Sequence, residues 1–410
     1  MPQSSESILT RLWSFLLSSV TVSHLHVMHT LLAAGALLVW LVGITLLVRG
    51  RCHYRRLSEM DFLPDEMENL PTLSILVPAC NEGATVEKAM RSLLALDYPN
   101  LEIIAVDDRS IDDTGAILDR LAAEDSRLQV LHISELPGGW LGKNHALQRA
   151  GEKASGEWLL FTDADIHFAP DALRRAVGYA ARRETDHLVL SPRCETHDFW
   201  ERLFVSYFGL MFSFRVRPWE VSDPKSKAYV GLGAFNLVRA SAYRQFGGHR
   251  ALPMEVLDDT KLGKVIKREG YRTELLEGGD LLSVRWVVGL RGVIDGLTKN
   301  AFPGFDYNLP LTAGAILGLA YTAIYPVVGL LLPSPTARLL SLCSFALMVY
   351  GAGLLRRITE ARATYGLAYP IASLILIYII VRSAWRCYRQ DGIIWRGTLY
   401  PLEELKRGVV

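Results

Sequence analysis

Residues 28–48, from Met28 through Trp40 to Val48, carry no charged side chain. A helix over this stretch is about 31 Å long, the thickness of one hydrocarbon core. In a bilayer such a segment satisfies its backbone internally and its side chains against lipid, provided it stays helical. Arg49, Arg51, Arg55 and Arg56 follow at once. Positive charge gathers on the cytoplasmic flank of a span, which places the following residues in the cytoplasm. The apolar core starts too late and runs too long for a cleaved signal peptide, and no basic segment precedes it. Within residues 1–27, Ile8, Leu9, Trp13, Phe15 and Leu16 surround Arg11 and suit a helix lying at the interface.

Beyond residue 308 the chain turns apolar again, over 309–332, 339–355 and 367–380. Pro326 interrupts the first stretch, and Pro333 and Pro335 separate it from the second. Three complete crossings would leave the C-terminus on the far side. Arg382, Arg386, Arg389, Arg396, Lys406 and Arg407 argue that it stays on the near side. The expectation is two to three C-terminal transmembrane helices within 309–385, one segment being re-entrant or interfacial, and a cytoplasmic tail at 386–410.

The middle of the chain reads differently. Residues 49–71 are acidic toward their end, contain Pro64 and Pro71, and read as a linker. Short apolar runs then alternate with helical stretches. Strands are expected at 73–77, 101–106, 128–133 and 158–161, and helices at 85–96, 114–124 and 144–154. This alternation predicts βαβ units and a parallel sheet, in which ligands bind beyond the carboxyl ends of the strands. The catalytic unit is expected to span 72–284, with an amphipathic segment at 285–308. Lys plus Arg number 44 against 43 Asp plus Glu, so no basic field draws nucleic acid. The five cysteines are odd in number and scattered, which predicts free thiols rather than a disulfide framework.

The acidic residues fall at the expected strand ends. Asp163 and Asp165 follow the strand at 158–161 and project to the same side. Two adjacent carboxylates repel unless a cation lies between them, and hard oxygen ligands suit Mg²⁺ or Mn²⁺ completed by substrate phosphate. Asn81 and Glu82 end the first strand, and Asp107 and Asp108 the second. Carboxylates there can accept hydrogen bonds from ribose hydroxyls or a base, or can serve as turn chemistry before the next helix. The loop from Gly138 to Asn144 leads into a helix, so its glycines permit close backbone approach and Lys143 can reach a phosphate. Asp258 and Asp259 stand at another helix start. They read either as a capping cluster or as a general base that takes the proton of an attacking hydroxyl.

In this order the motifs resemble membrane-bound family 2 glycosyltransferases of the GT-A fold. The matching pieces are Val77-Pro78-Ala79-Cys80-Asn81-Glu82, Val106-Asp107-Asp108-Arg109-Ser110, Asp163-Ala164-Asp165, Asp258-Asp259-Thr260-Lys261-Leu262-Gly263 and Arg285-Trp286. The resemblance implies an α/β Rossmann-like domain that binds a nucleotide sugar. Asn81, Glu82, Asp107, Lys143, Asp163, Arg285 and Trp286 would meet the donor, Asp163 and Asp165 the metal. Asp259 would be the catalytic base, with Asp258 beside it in place of the usual Glu. Leu282 stands where processive synthases and ceramide glucosyltransferases carry Gln or Arg, which weakens a polymerase reading.

The stretches Gly138–Lys143 and Gly289–Asn300 further resemble carotenoid- and hopanoid-associated members, and Ile394–Pro401 resembles a cytoplasmic tail of related enzymes. The implied activity is inverting transfer from a UDP-sugar to a lipid hydroxyl, in an integral protein of a bacterial inner membrane with its catalytic domain in the cytoplasm. The rival activities are a processive polysaccharide synthase and a non-catalytic membrane scaffold or transporter that keeps the fold. Two aromatic stripes, 199–214 and 286–297, suit either core helices or helices lying on a bilayer. Residues 231–235 would form an acceptor-side loop or an ordinary turn.

Overall fold

The computed structural model describes residues 5–50, 54–60 and 70–410, with side chains from residue 24 onward. The expected interfacial side chains at 8–16 lie outside the described residues. The backbone there belongs to one helix, α1 (Ser5–Gly50).

The alternation predicted from the sequence is realised as β1 (Leu73–Ala79), β2 (Leu101–Asp108), β3 (Leu128–Ile133) and β4 (Trp158–Phe161). β1 pairs in parallel with β2 and β4, and β2 with β3. Four more strands extend the sheet: β5 (His167–Phe168), β6 (His187–Cys194), β7 (Asn236–Arg239) and β8 (Thr273–Val284), in the order β3-β2-β1-β4-β7-β6-β8-β5. β7 runs antiparallel to both β4 and β6, so the sheet is mixed.

Around the sheet lie α2 (Val86–Leu94), α3 (Thr114–Glu124), α4 (Gly142–Lys153), α5 (Ala172–Arg182), α6 (Phe199–Val216), α7 (Ala240–Gln245), α8 (Asp258–Arg268) and α9 (Gly289–Ala301). Successive β1 residues serve opposite faces. Ile75 and Val77 join Met90, Leu121 and Val177 of α2, α3 and α5; Leu76 joins Leu147, Tyr243 and Ile266 of α4, α7 and α8. Helices on both faces explain why the strands read as unbroken apolar runs.

Some boundaries move. α2 ends at Leu94 rather than at 96, because Leu96 and Tyr98 turn into the core ahead of Pro99. α4 starts at Gly142, two residues early, where the hydroxyl of Tyr400 accepts the Gly142 N–H. The expected linker is partly docked: Leu57 is fully buried and Arg56 pairs with Glu277 of β8. Cys80, Cys194, Cys343 and Cys387 are free thiols.

The remaining helices are α10 (Leu309–Leu319), continued by a π-turn (Ala320–Ile324) into α11 (Tyr325–Leu331), then α12 (Pro335–Leu354), α13 (Arg356–Thr359), α14 (Tyr369–Arg389) and α15 (Leu402–Arg407). Between α14 and α15 lies a hairpin of β9 (Gly392–Trp395) and β10 (Thr398–Pro401). Among the described residues four runs are long and apolar enough to cross a membrane: His24–Gly50, Leu309–Leu331, Pro335–Leu354 and Ala363–Arg389. Leu31, Leu38, Leu317, Leu331, Leu339 and Leu374 leave their outer faces apolar and exposed. Trp40 donates its indole N–H to the Thr322 carbonyl at 2.8 Å. Pro326, four residues on, has no N–H for that carbonyl, so Trp40 and the π-turn repair the break.

Contacts distinguish the fourth run from the others. His29 and Thr30 meet Tyr325 and Ser334 at the ends of the helices remote from the sheet. α14 starts well short of that level. Tyr369 bonds Ser206 of α6, and Ser373 bonds the Leu319 carbonyl. At its other end Ser383 accepts the Phe302 N–H, and Arg382 pairs with Asp295 of α9. Both ends of α14 therefore contact helices of the catalytic domain, α6 at its start and α9 at its end. The 199–214 stripe is mostly core: Leu203, Phe204, Tyr207 and Leu210 are buried, while Phe199 and Trp200 stay exposed.

Candidate active site

Three strand ends and two helix starts converge. After β4, the Thr162 hydroxyl and the Asp163 N–H bond the carbonyls of Ala234 and Gly233. That loop continues into β7, so strand pairing sets where Asp163 sits. A Cβ on Gly233 would stand 2.2 Å from Asp163 Oδ2, a space only glycine leaves open. The same loop packs against the start of α8. A Cβ on Gly231 would stand 1.8 Å from the Asp259 carbonyl oxygen, and one on Gly263 would stand 1.8 Å from the Val230 carbonyl oxygen. The glycines thus bring the start of α8 flush against the loop. Asp259 Oδ2 accepts the Gly233 N–H at 2.8 Å, and Oδ1 accepts its neighbour Thr260 N–H at 2.7 Å. The loop at 231–235 lies between Asp163 and Asp259.

Lys143, the second residue of α4, reaches into this space. Its ammonium lies 2.8 Å from Asp163 Oδ1 and 3.2 Å from Asp258 Oδ2. Burial opposes charge on Lys143, yet Asp163, Asp258 and Asp259 outweigh it and hold the ammonium protonated. Asp258 is buried, and burial pushes its carboxyl up to about 6 against the pull of Lys143. Burial, with Asp163 and Glu82 nearby, likewise pushes Asp165 up to about 6. The pocket is therefore short of positive charge, which fits a divalent cation at Asp163 and Asp165. Among the described residues no three His, Cys, Asp or Glu side chains close a metal cage. Such an ion would complete its shell from phosphate and water.

The ends of β1 and β2 form the adjoining wall. Asn81 takes a left-handed conformation (φ 56°); its N–H meets Ser110 and its side-chain oxygen accepts the Ile111 N–H at 2.9 Å. Glu82 pairs with Arg396 of the C-terminal hairpin. Asp107 bonds His132 at 3.0 Å, and His132 bonds Asp119. Asp108 is buried in a two-pronged pair with Arg109, lying where a Cβ on Gly142 would be.

Arg285 and Trp286 contact α6. Arg285 donates to Glu201 of α6 at 2.9 Å, and Trp286 lies against Phe208. Glu201 is fully buried and also accepts the His197 and Gly289 N–H groups at 2.7 and 2.8 Å. Burial pushes this carboxyl up, but the three donors outweigh it and bring it down to about 2. Glu201, which sequence reasoning passed over inside an apolar stripe, thus ties β8 to α6 and α9. Leu282 is buried in the core between β5 and β8, so a polar residue would have no partner there.

Glu201→Gln is expected to destabilise the protein by about 2 kcal/mol at neutral pH, the worth of one charge-assisted bond. Because the folded pKa lies below the ordinary 4.5, this stabilisation is present above that value and fades as pH falls toward 2. Unfolding of both proteins followed from pH 7 down should show the gap closing on the acid side. A gap constant with pH would remove the carboxylate from the account.

Residues 74–245 match the Glycosyl transferase family 2 domain. The chain is 24% identical over 270 residues to a 4,4'-diaponeurosporenoate glycosyltransferase of Staphylococcus haemolyticus, an alignment covering 64% of this chain and 70% of that one. It is 41% identical over 111 residues to a beta-monoglucosyldiacylglycerol synthase of Trichormus variabilis, covering 27% of this chain and 23% of the relative. A solved mannosyltransferase of Pyrobaculum calidifontis, in complex with GDP-Man and Mn²⁺, superposes with a TM-score of 0.53 at 19% identity, covering 85% of this chain and 99% of that one. That likeness shows the GT-A fold.

Proposed function

Taking as premise that this chain carries a glycosyl transferase family 2 domain and is a glycosyltransferase, we propose that it moves one sugar from a nucleotide-diphosphate donor to a lipid hydroxyl, with inversion at the anomeric carbon. The observation that carries the reading is the convergence of Lys143, Asp163, Asp258 and Asp259 beyond the strand ends. α9 and α14 join the same domain to the apolar helices. The two relatives named above are a diaponeurosporenoate glycosyltransferase and a monoglucosyldiacylglycerol synthase, which supports a lipid acceptor. The donor is expected to be a UDP-sugar.

Asp259 accepts the proton of the acceptor hydroxyl. The hydroxyl oxygen bonds the anomeric carbon, and the bond from that carbon to the diphosphate oxygen breaks with its electrons going to phosphate. Lys143 keeps Asp163 and Asp258 in register and adds positive charge near the leaving group. Mg²⁺ or Mn²⁺ at Asp163 and Asp165 would supply electrostatic neutralisation of that diphosphate. Asn81, Glu82 and Asp107 form the donor wall. α1, α10–α11 and α12 cross the bilayer, α14 re-enters, and the catalytic domain and C-terminus share the cytoplasmic side.

Membranes bearing the full-length chain, incubated with labelled UDP- and GDP-sugars, are expected to yield one lipid heavier by a single sugar. Chelation by EDTA should abolish the product, and Mg²⁺ or Mn²⁺ should restore it. A ladder of masses would establish the processive activity instead. No product and no donor hydrolysis across the panel would overturn the transferase assignment.

A further inference from the structure

The C-terminal hairpin does not hang free. β9 and β10 pair Trp395 with Thr398, which leaves Arg396 and Gly397 as a two-residue turn. Both have positive φ, 48° and 81°. This is the turn that favours Asn-Gly or Gly-Gly, and an arginine at its first position is strained. Strain kept at a loop tip points to a task for the side chain.

The tip lies against the donor wall. The Arg396 guanidinium meets Glu82 and the Asn81 carbonyl at the end of β1. Thr398 accepts from Arg109 at 3.3 Å, beyond the end of β2. The hydroxyl of Tyr400 accepts the Gly142 N–H, one residue before Lys143. From α9, the Lys299 ammonium sits 3.5 Å from the centre of the Trp395 ring. Lys299 is also within the electrostatic reach of Lys143, Asp163, Asp258 and Arg396. Burial and Lys143 push its ammonium down to about 8 against the two aspartates.

Arg396 and Lys299 are the cations that the hairpin and α9 bring to this acidic crevice. Glu82, Asp163, Asp165, Asp258 and Asp259 border the crevice, and Lys143 is shared between Asp163 and Asp258. A nucleoside diphosphate brings further negative charge. Arg285, which the family resemblance assigned to it, pairs with the buried Glu201 of α6, whereas Arg396 pairs with Glu82 on the donor wall itself.

We propose that Arg396 at the hairpin tip and Lys299 over Trp395 bind the diphosphate of the nucleotide donor, the hairpin forming the outer wall of the donor site. The proposal rests on the transferase reading above and adds residues from outside the matched domain. Arg396 presents a planar fork suited to phosphate oxygens, and Lys299 a point charge steadied by an aromatic face.

The test measures binding to the full-length protein in detergent, without turnover. UDP and GDP are compared with UMP and GMP, in the presence of Mg²⁺. Arg396→Asn places a residue that this turn prefers, so the variant should unfold no earlier than the parent protein. Its affinity for the diphosphate should fall about tenfold, with the monophosphate almost unchanged. Lys299→Gln should do the same, and Lys299→Arg should recover most of the loss. Equal losses for mono- and diphosphate, or none in a folded Arg396→Asn protein, would overturn this assignment while leaving the transferase reading intact. Failure of the parent protein to bind either diphosphate would overturn both.

Discussion

Asp259→Asn should lower kcat by about 10²–10⁴-fold, the range over which positioned general bases contribute. The donor should still bind, because the amide keeps the size of the side chain and its oxygen can still accept the Gly233 N–H. The Thr260 N–H at the half-exposed start of α8 can turn to water, so stability should hardly change. Single-turnover transfer and nucleoside diphosphate binding, measured on the same preparation, separate these effects. Transfer at more than about a tenth of the parent rate would fall outside that range and displace the base from Asp259. Asp258 is a poor substitute for the role, since it is buried and engaged by Lys143.

Lys143→Met is the second large effect. The ammonium joins Asp163, from the end of β4, to Asp258, from the start of α8. Methionine keeps the stem but leaves a buried carboxylate without its cation. Breaking such a pair costs about 3–5 kcal/mol, because the remaining charge has lost its water and its partner. Thermal unfolding should show a marked loss, and transfer should collapse even at temperatures where the variant stays folded. Lys143→Arg tests whether charge alone suffices. A guanidinium is larger than the space between two carboxylates set for an ammonium, so partial recovery of stability without full activity is expected. A methionine variant as stable as the parent protein would show that Asp258 does not depend on Lys143.

Much of this architecture was legible along the chain. Apolar runs at 73–77, 101–106, 128–133 and 158–161 became the parallel strands, and the chemistry-bearing residues stood just past them. Asp163 and Lys143 do meet, and Asp258 with them. The sequence reading placed Arg285 and Trp286 with the donor; in the structure their contacts are Glu201 and Phe208. Nothing local marked Glu201 as a partner, because an acid inside an aromatic stripe looks the same whether it faces solvent or a guanidinium 84 residues away. Lys299 and Trp395 each fell in a stretch resembling related enzymes, but nothing in the sequence joined them; the fold does so where α14 carries the hairpin back to the crevice.

The chain by itself determined the elements: short unbroken apolar runs for strands buried on both faces, a period near 3.6 for the helices between them, and uncharged runs as long as a hydrocarbon core is thick. These depend on neighbours a few residues apart, and their energetics are written in local order. The tertiary structure alone decided which charges meet, and that residues 392–401 lie against a site begun at residue 79. Ion pairing and desolvation act over a few ångströms of space, and distance along the chain does not encode them.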